Sequence, residues 1–141
     1  MMKSIKLFLI VFLPLMMGAA LVSCASQDGD EGDVVVIESS EQFYELIDGD
    51  TPVIVDFYAD WCRPCRIQGP IVGELATEMP GKVIVAKLDV DKFPRISSKY
   101  QVTGIPSIIL YEKGEQVWKK VGLQQKPRLK AAIEAHLKTK S

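Results

Sequence analysis

Apolar and polar positions change rhythm several times along this chain, and each change marks an element. Val34-Val35-Val36-Ile37 is a short β-branched run that predicts a first strand. Ser39-Ser40-Glu41-Gln42 has the spacing of a capping box, with Ser39 as N-cap and Gln42 three residues on, so a helix opens there and runs to about Leu46 or Ile47. Asp48-Gly49-Asp50-Thr51-Pro52 is a turn, and the nearly unbroken apolar run from Val53 to Tyr58 predicts a strand buried on both faces. After Cys62, apolar residues recur at steps of three and four: Ile67, Ile71, Val72, Leu75, Ala76 and Met79. That spacing predicts one helix with this face on a sheet, kinked where Pro70 removes a backbone hydrogen bond and stopped by Pro80-Gly81. Val83 to Leu88 reads as another buried strand, Phe93 to Tyr100 as a short helix at most, and Val102 to Pro106 as a loop. Ser107 to Tyr111 and Gln116 to Val121 flank Glu112-Lys113-Gly114-Glu115 as an antiparallel hairpin, its second strand alternating polar and apolar residues as an edge strand does. Leu129, Ile133 and Leu137, with Ala132 beside them, form the packed face of a last helix that starts near Pro127. The single histidine, His136, is expected on its solvent side and is a poor catalytic candidate.

The amino terminus follows a different pattern. Lys3 and Lys6 precede sixteen mostly apolar residues, Leu7 to Val22, which read as a secretory signal and not as part of a fold. Pro14 interrupts the stretch, and it is slightly short for an uncleaved membrane span. Leu21-Val22-Ser23-Cys24 resembles the bacterial lipobox, in which cleavage leaves the cysteine as an acylated first residue. Residues 1–23 are therefore expected to be a lipoprotein signal peptide, with Cys24 lipidated and the protein anchored in the bacterial cell envelope. More than one acyl chain makes such anchoring stable. Residues 25–33 are polar, acidic and Gly-containing, a composition that buries nothing and reads as a flexible tether.

Composition narrows the picture further. With 141 residues the chain has room for one ordinary domain with its own core. From Val34 onward it carries 15 Lys and Arg against 14 Asp and Glu, scattered without a basic block, so no nucleic-acid partner is indicated.

The candidate chemistry lies in Asp60-Trp61-Cys62-Arg63-Pro64-Cys65-Arg66, where a strand hands over to a helix. Thiols three residues apart on a first helical turn come within bonding distance, so they alternate between dithiol and disulfide without rebuilding the fold. Unpaired N–H groups at the helix start favour the thiolate of Cys62, the nucleophilic form. A structural zinc site needs four ligands, and the chain beyond this pair offers one His and no further Cys. A c-type haem site needs His directly after the second Cys, where Arg66 stands. An inert disulfide stays open as an alternative, although so short a loop removes little entropy from the unfolded chain. Asp56 is the anomaly of its strand: a carboxylate in an apolar run must find a partner or hold a proton near neutrality.

Val55-Asp56-Phe57-Tyr58-Ala59-Asp60-Trp61-Cys62 with Pro64-Cys65, then Ala86 to Asp91, then Tyr100, Val102 and Gly104-Ile105-Pro106-Ser107, resemble the thioredoxin family in order and spacing. The resemblance implies an α/β thioredoxin fold over residues 34–141, a central mixed sheet of about five strands flanked by about four helices. It implies a monomeric thiol–disulfide oxidoreductase whose redox centre is the Cys62–Cys65 disulfide, with no metal or other cofactor. By the same resemblance Cys62 is the nucleophile and Cys65 the resolving thiol. Asp56 would move the proton of Cys65, with Lys87 coupled to it. Trp61, Arg63, Pro64, Ile105, a cis Pro106 and Gly122 would shape the substrate groove. Partners would be disulfide-containing envelope proteins and a membrane electron donor, with the lipid on Cys24 holding the protein at the membrane.

Arg63 departs from the family pattern, which usually has Gly there. A guanidinium beside Cys62 stabilises the thiolate and makes the pair more oxidising. Even two pH units on one thiol amount to about 2.7 kcal/mol, whereas the gap from thioredoxin near −270 mV to disulfide isomerase near −180 mV is about 4 kcal/mol. The expected direction therefore stays reductive. The alternatives are an oxidase or isomerase of secreted proteins, which usually has His where Pro64 stands, and a non-catalytic partner-binding module, which retention of Cys62, Cys65, Asp56 and Pro106 argues against. Branches with insertions do not fit the 41-residue step from Cys65 to Pro106.

Overall fold

Ser39 opens the first helix. In the computed structural model, which describes residues 34–139, strand β1 (Val34–Val36) is followed by helix α1 (Ser40–Asp48). The extended Ser39 accepts the Gln42 N–H at 3.1 Å, and the Gln42 side chain reaches back to the N–H of Glu38 at 2.7 Å. The signal segment, Cys24 and the acidic tether, expected over residues 1–33, lie outside the described residues.

The remaining elements are β2 (Val53–Tyr58), α2 (Arg63–Glu78), β3 (Ile84–Asp89), α3 (Pro94–Lys99), β4 (Ser107–Glu112), β5 (Glu115–Val121) and α4 (Lys126–Lys138). The five strands form one mixed sheet in the order β1-β3-β2-β4-β5. β3 runs parallel to both β1 and β2, while β4 is antiparallel to β2 and β5 to β4. The expected hairpin closes through Lys113 and Gly114, both at positive φ, a pair of conformations whose twist matches that of the flanking strands. Gly114 suits this turn by its φ of +81, and a Cβ there would also have to displace the Asp48 carboxylate, whose Oδ1 lies 2.6 Å from that position.

β2 lies at the centre of the sheet, and side chains alternate across it. Val53, Val55 and Phe57 join Phe43 and Ile47 of α1 and Ile96 of α3 in one core, while Ile54 joins Val72 and Leu75 of α2 and Leu129 and Ile133 of α4 in the other. This period of two sends Asp56 to the same face as Ile54, under α2. Burial of the strand on both faces explains its nearly unbroken apolar run.

Three expectations are corrected. The apolar face read for α2 began at Ile67, yet Ile67 is 54 % exposed, and the buried stripe is Cys65, Gln68, Val72 and Leu75, continued by Met79 at the C-cap. At about 100° per residue these positions line up, and Ile67 lies about a third of a turn from the centre of their stripe. Steps of three and four fit both phases, and the polar Gln68 disguised the true one. The helix itself is one element spanning Pro70, as the spacing predicts. His136 does not face solvent freely: its Nε2 pairs with Glu112 Oε2 at the end of β4, because α4 packs across that sheet face and brings its last turn to a buried carboxylate. β5 is an edge strand, but its exposure does not alternate cleanly. A bulge opposite Leu110 and Tyr111 leaves Val117 as an extra residue, and Val117 and Val121 are both exposed.

Candidate active site

The chain leaves β2 at Tyr58 and turns through Ala59-Asp60-Trp61 into α2 with Cys62 as its N-cap. Cys62 has extended backbone, and its Sγ accepts the backbone N–H of Cys65 at 3.2 Å, the bond that a capping oxygen would make elsewhere. Pro64, in the first turn, has no N–H to leave unpaired there. Cys62 and Cys65 form a disulfide with Cα atoms 5.3 Å apart and are only 3 % and 5 % exposed. An N–H aimed at the sulfur, on the positive end of a helix, stabilises the thiolate once the bond is reduced.

Asp56 lies on the face that α2 covers. It is 1 % exposed, and neither carboxylate oxygen has a hydrogen-bond partner among the described residues. Burial pushes its pKa up to about 7, with the positive charge of Lys87 opposing the rise. Lys87 is its register partner on β3, and parallel partners share a sheet face. The Lys87 ammonium sits 4.4 Å from the centroid of the Tyr58 ring, a cation–π contact that holds it beside the strand end. A cleft of about 680 Å³ opens behind Cys65, its lining including Tyr58, Arg66, Gly69, Pro70 and Lys87.

On the other side of the disulfide, Ile105 packs against Ala59, Cys62 and Cys65, and the Ile105–Pro106 bond is cis, as the resemblance implies. Gly122 follows β5 at φ +87, a conformation that favours glycine, and donates its N–H to the Pro106 carbonyl at 2.8 Å. Trp61 is 69 % exposed, and its indole Nε1 donates to Asp91 Oδ2 at 2.8 Å. Arg63 is exposed, and its side chain makes no hydrogen bond or ion pair among the described residues. The structure thus brings Cys62, Cys65, Ile105, Pro106 and Gly122 to one end of the sheet and sets Asp56 and Lys87 side by side within it.

Sequence reasoning passed over Asp91, although it closes the Ala86 to Asp91 stretch, and over two glutamines. Gln68 is fully buried on α2, and it hydrogen-bonds Gln124 in the loop after β5. Its one signal was its place one turn beyond Cys65 on the stripe of Val72 and Leu75.

The family model described as Thioredoxin matches residues 34–135. A thioredoxin from Rickettsia felis is 47 % identical over 85 residues, spanning 60 % of this chain and 81 % of that protein. Two solved structures are similar at a TM-score of 0.68. The thioredoxin of Malassezia sympodialis is 34 % identical over 74 % of this chain and 91 % of its own, and a mutant thioredoxin of Halobacterium salinarum is 36 % identical over 76 % and 93 %. A five-stranded mixed sheet with four helices, a disulfide at the head of α2 and a family match across nearly all the described residues lead to one assignment: the chain belongs to the thioredoxin family and is a thiol–disulfide oxidoreductase whose redox centre is Cys62–Cys65.

Proposed function

We propose that the chain reduces protein disulfides in the cell envelope of a bacterium, held at a membrane by lipid on Cys24. The observation that carries the chemistry is the Cys62 sulfur at the N-cap of α2, accepting a backbone N–H, with a buried and unpartnered Asp56 on the sheet face beneath the same helix.

The Cys62 thiolate attacks one sulfur of a substrate disulfide, forming a mixed disulfide and releasing the other substrate sulfur as a thiolate. Cys65 then loses its proton and attacks the Cys62 sulfur, expelling the second substrate thiolate and closing Cys62–Cys65. Two electrons pass from the dithiol to the substrate. Asp56, with a pKa of about 7, is divided between base and acid at neutral pH, so it takes the Cys65 proton through intervening water without being locked in either form. Lys87 tunes that balance. Trp61, Arg63, Pro64, Ile105, Pro106 and Gly122 form the surface that receives the substrate segment.

Two considerations support the reductive direction. Pro64 stands before the second cysteine where oxidases and isomerases usually have His, and Arg63 on its own is too weak a perturbation to move the pair from the thioredoxin to the isomerase range. A reduction potential measured on residues 34–141 by equilibration with glutathione is expected nearer the roughly −270 mV of thioredoxin than the roughly −120 mV of a dedicated oxidant. A value above about −150 mV would reverse the assigned direction.

The location rests on Lys3 and Lys6, the apolar stretch to Val22 and the Leu21-Val22-Ser23-Cys24 sequence. Outside the cytoplasm the dithiol needs a membrane protein to pass it electrons. In cells fed a clickable fatty acid, the full chain is expected to label and to fractionate with membranes. The Cys24→Ala variant is expected to lose the label, and equal labelling of both would remove the anchor from this reading.

A further inference from the structure

Helix α2 buries an amide where its stripe otherwise holds hydrophobic side chains. Gln68 has no exposed surface, lying between Cys65 one turn before it and Val72 one turn after. A buried amide without partners is strongly disfavoured, so its hydrogen bonds show what holds it there. Gln68 Oε1 accepts the backbone N–H of Gln124 at 2.8 Å, and Gln68 Nε2 donates to the backbone carbonyl of Gln124 at 3.2 Å. One side chain thus engages both main-chain groups of a single loop residue, as a strand partner would.

The bonds continue past that residue. The Gln124 side-chain Nε2 donates to the carbonyls of Gly122 at 3.0 Å and Leu123 at 3.1 Å. The Gly122 N–H in turn donates to the Pro106 carbonyl at 2.8 Å. An unbroken series of hydrogen bonds therefore runs from the helix that carries Cys65, through two glutamines, to Gly122 and the cis proline beside the disulfide. An apolar pair at 68 and 124 would cover similar area, but such contact is non-directional and would not fix where the loop's carbonyls and N–H groups point.

We propose that Gln68 is a positioning residue for substrate recognition: through Gln124 it holds Gly122 and Pro106 in the register that an incoming disulfide-containing segment meets. The proposal rests on the thiol–disulfide exchange assigned to Cys62 and Cys65, and it adds the device that aligns the groove with the helix.

The test compares Gln68→Met, similar in length but unable to bond the loop, with Gln124→Ala, which removes only the second link. With insulin as the disulfide substrate and the full dithiol protein, Gln68→Met is expected to raise KM about fivefold or more and to change kcat by less than about twofold. Amide exchange at Gly122 should quicken about tenfold or more, while exchange at Val55 in the central strand stays as in the parent protein. Gln124→Ala should shift both readouts the same way. The double variant should be little worse than the worse single, because the links act in series. A lowered Tm with KM and Gly122 exchange unchanged would reduce Gln68 to a packing residue and overturn the proposal, as would effects that multiply in the double variant. If Gln68→Met does not fold, Gln124→Ala decides by the same two readouts. Failure of the parent protein to turn over insulin would count against the reductase reading, and Gly122 exchange would still judge the positioning role.

Discussion

Replacing Asp56 with Ala is expected to stabilise the folded protein at pH 8 by about 3 kcal/mol. The carboxyl has a pKa near 3.8 in the unfolded chain and about 7 when folded, because burial penalises its charge. Between those values the folded state holds a proton that the unfolded state has released, so stability falls as pH rises from about 4 to about 7 and levels off above. At about 1.4 kcal/mol for each pH unit of that window, the charged form costs about 4 kcal/mol, from which the space left by the missing carboxyl takes back about 1. Urea unfolding of the oxidised proteins checks this. The parent should lose stability across the window, and the variant should not. At pH 4 the two should differ by less than about 1 kcal/mol. Equal stability at pH 8 would mean that the Asp56 charge is compensated when folded. The variant should also resolve mixed disulfides more slowly at neutral pH, since the Cys65 proton would have no acceptor beneath the helix.

Cys62→Ser is expected to lower protein-disulfide reduction by about 10³-fold or more, to the background of uncatalysed exchange. A serine hydroxyl at the N-cap still accepts the Cys65 N–H, so the helix start is preserved and the loss belongs to the nucleophile. Cys65→Ser should behave differently: it attacks the first disulfide and then stalls as a covalent complex, visible on a non-reducing gel. If both variants stalled, or neither did, the order of the two thiols would be wrong. If Cys62→Ser kept the parent rate, the exchange chemistry would lie elsewhere.

Much of this site was legible because local chemistry dictates it. The capping pattern at Ser39 and Gln42, the doubly buried β2 and the turn at Lys113-Gly114 each follow from a few neighbouring residues. Cys62 at a strand-to-helix junction and Asp56 within an apolar run stood out for the same reason. What escaped depends on contacts between distant parts of the chain. Gln68 and Gln124 are 56 residues apart, and neither signals burial until the other is beside it. The same holds for Trp61 with Asp91 and for His136 with Glu112. Ile67 misled because an apolar residue at helical spacing looks like core, whereas its phase on α2 is set by which neighbours the sheet covers.

The strand at the β5 rim of the sheet carries a consequence for crowding. Among the described residues it offers unpaired main-chain groups on one side, to which a second copy of the chain could add itself. β5 is broken in register at Val117 and carries Lys119 and Lys120 within it. That rim is no flat, uncharged template, so copies packed close together would resist zipping into a continuous ribbon along it.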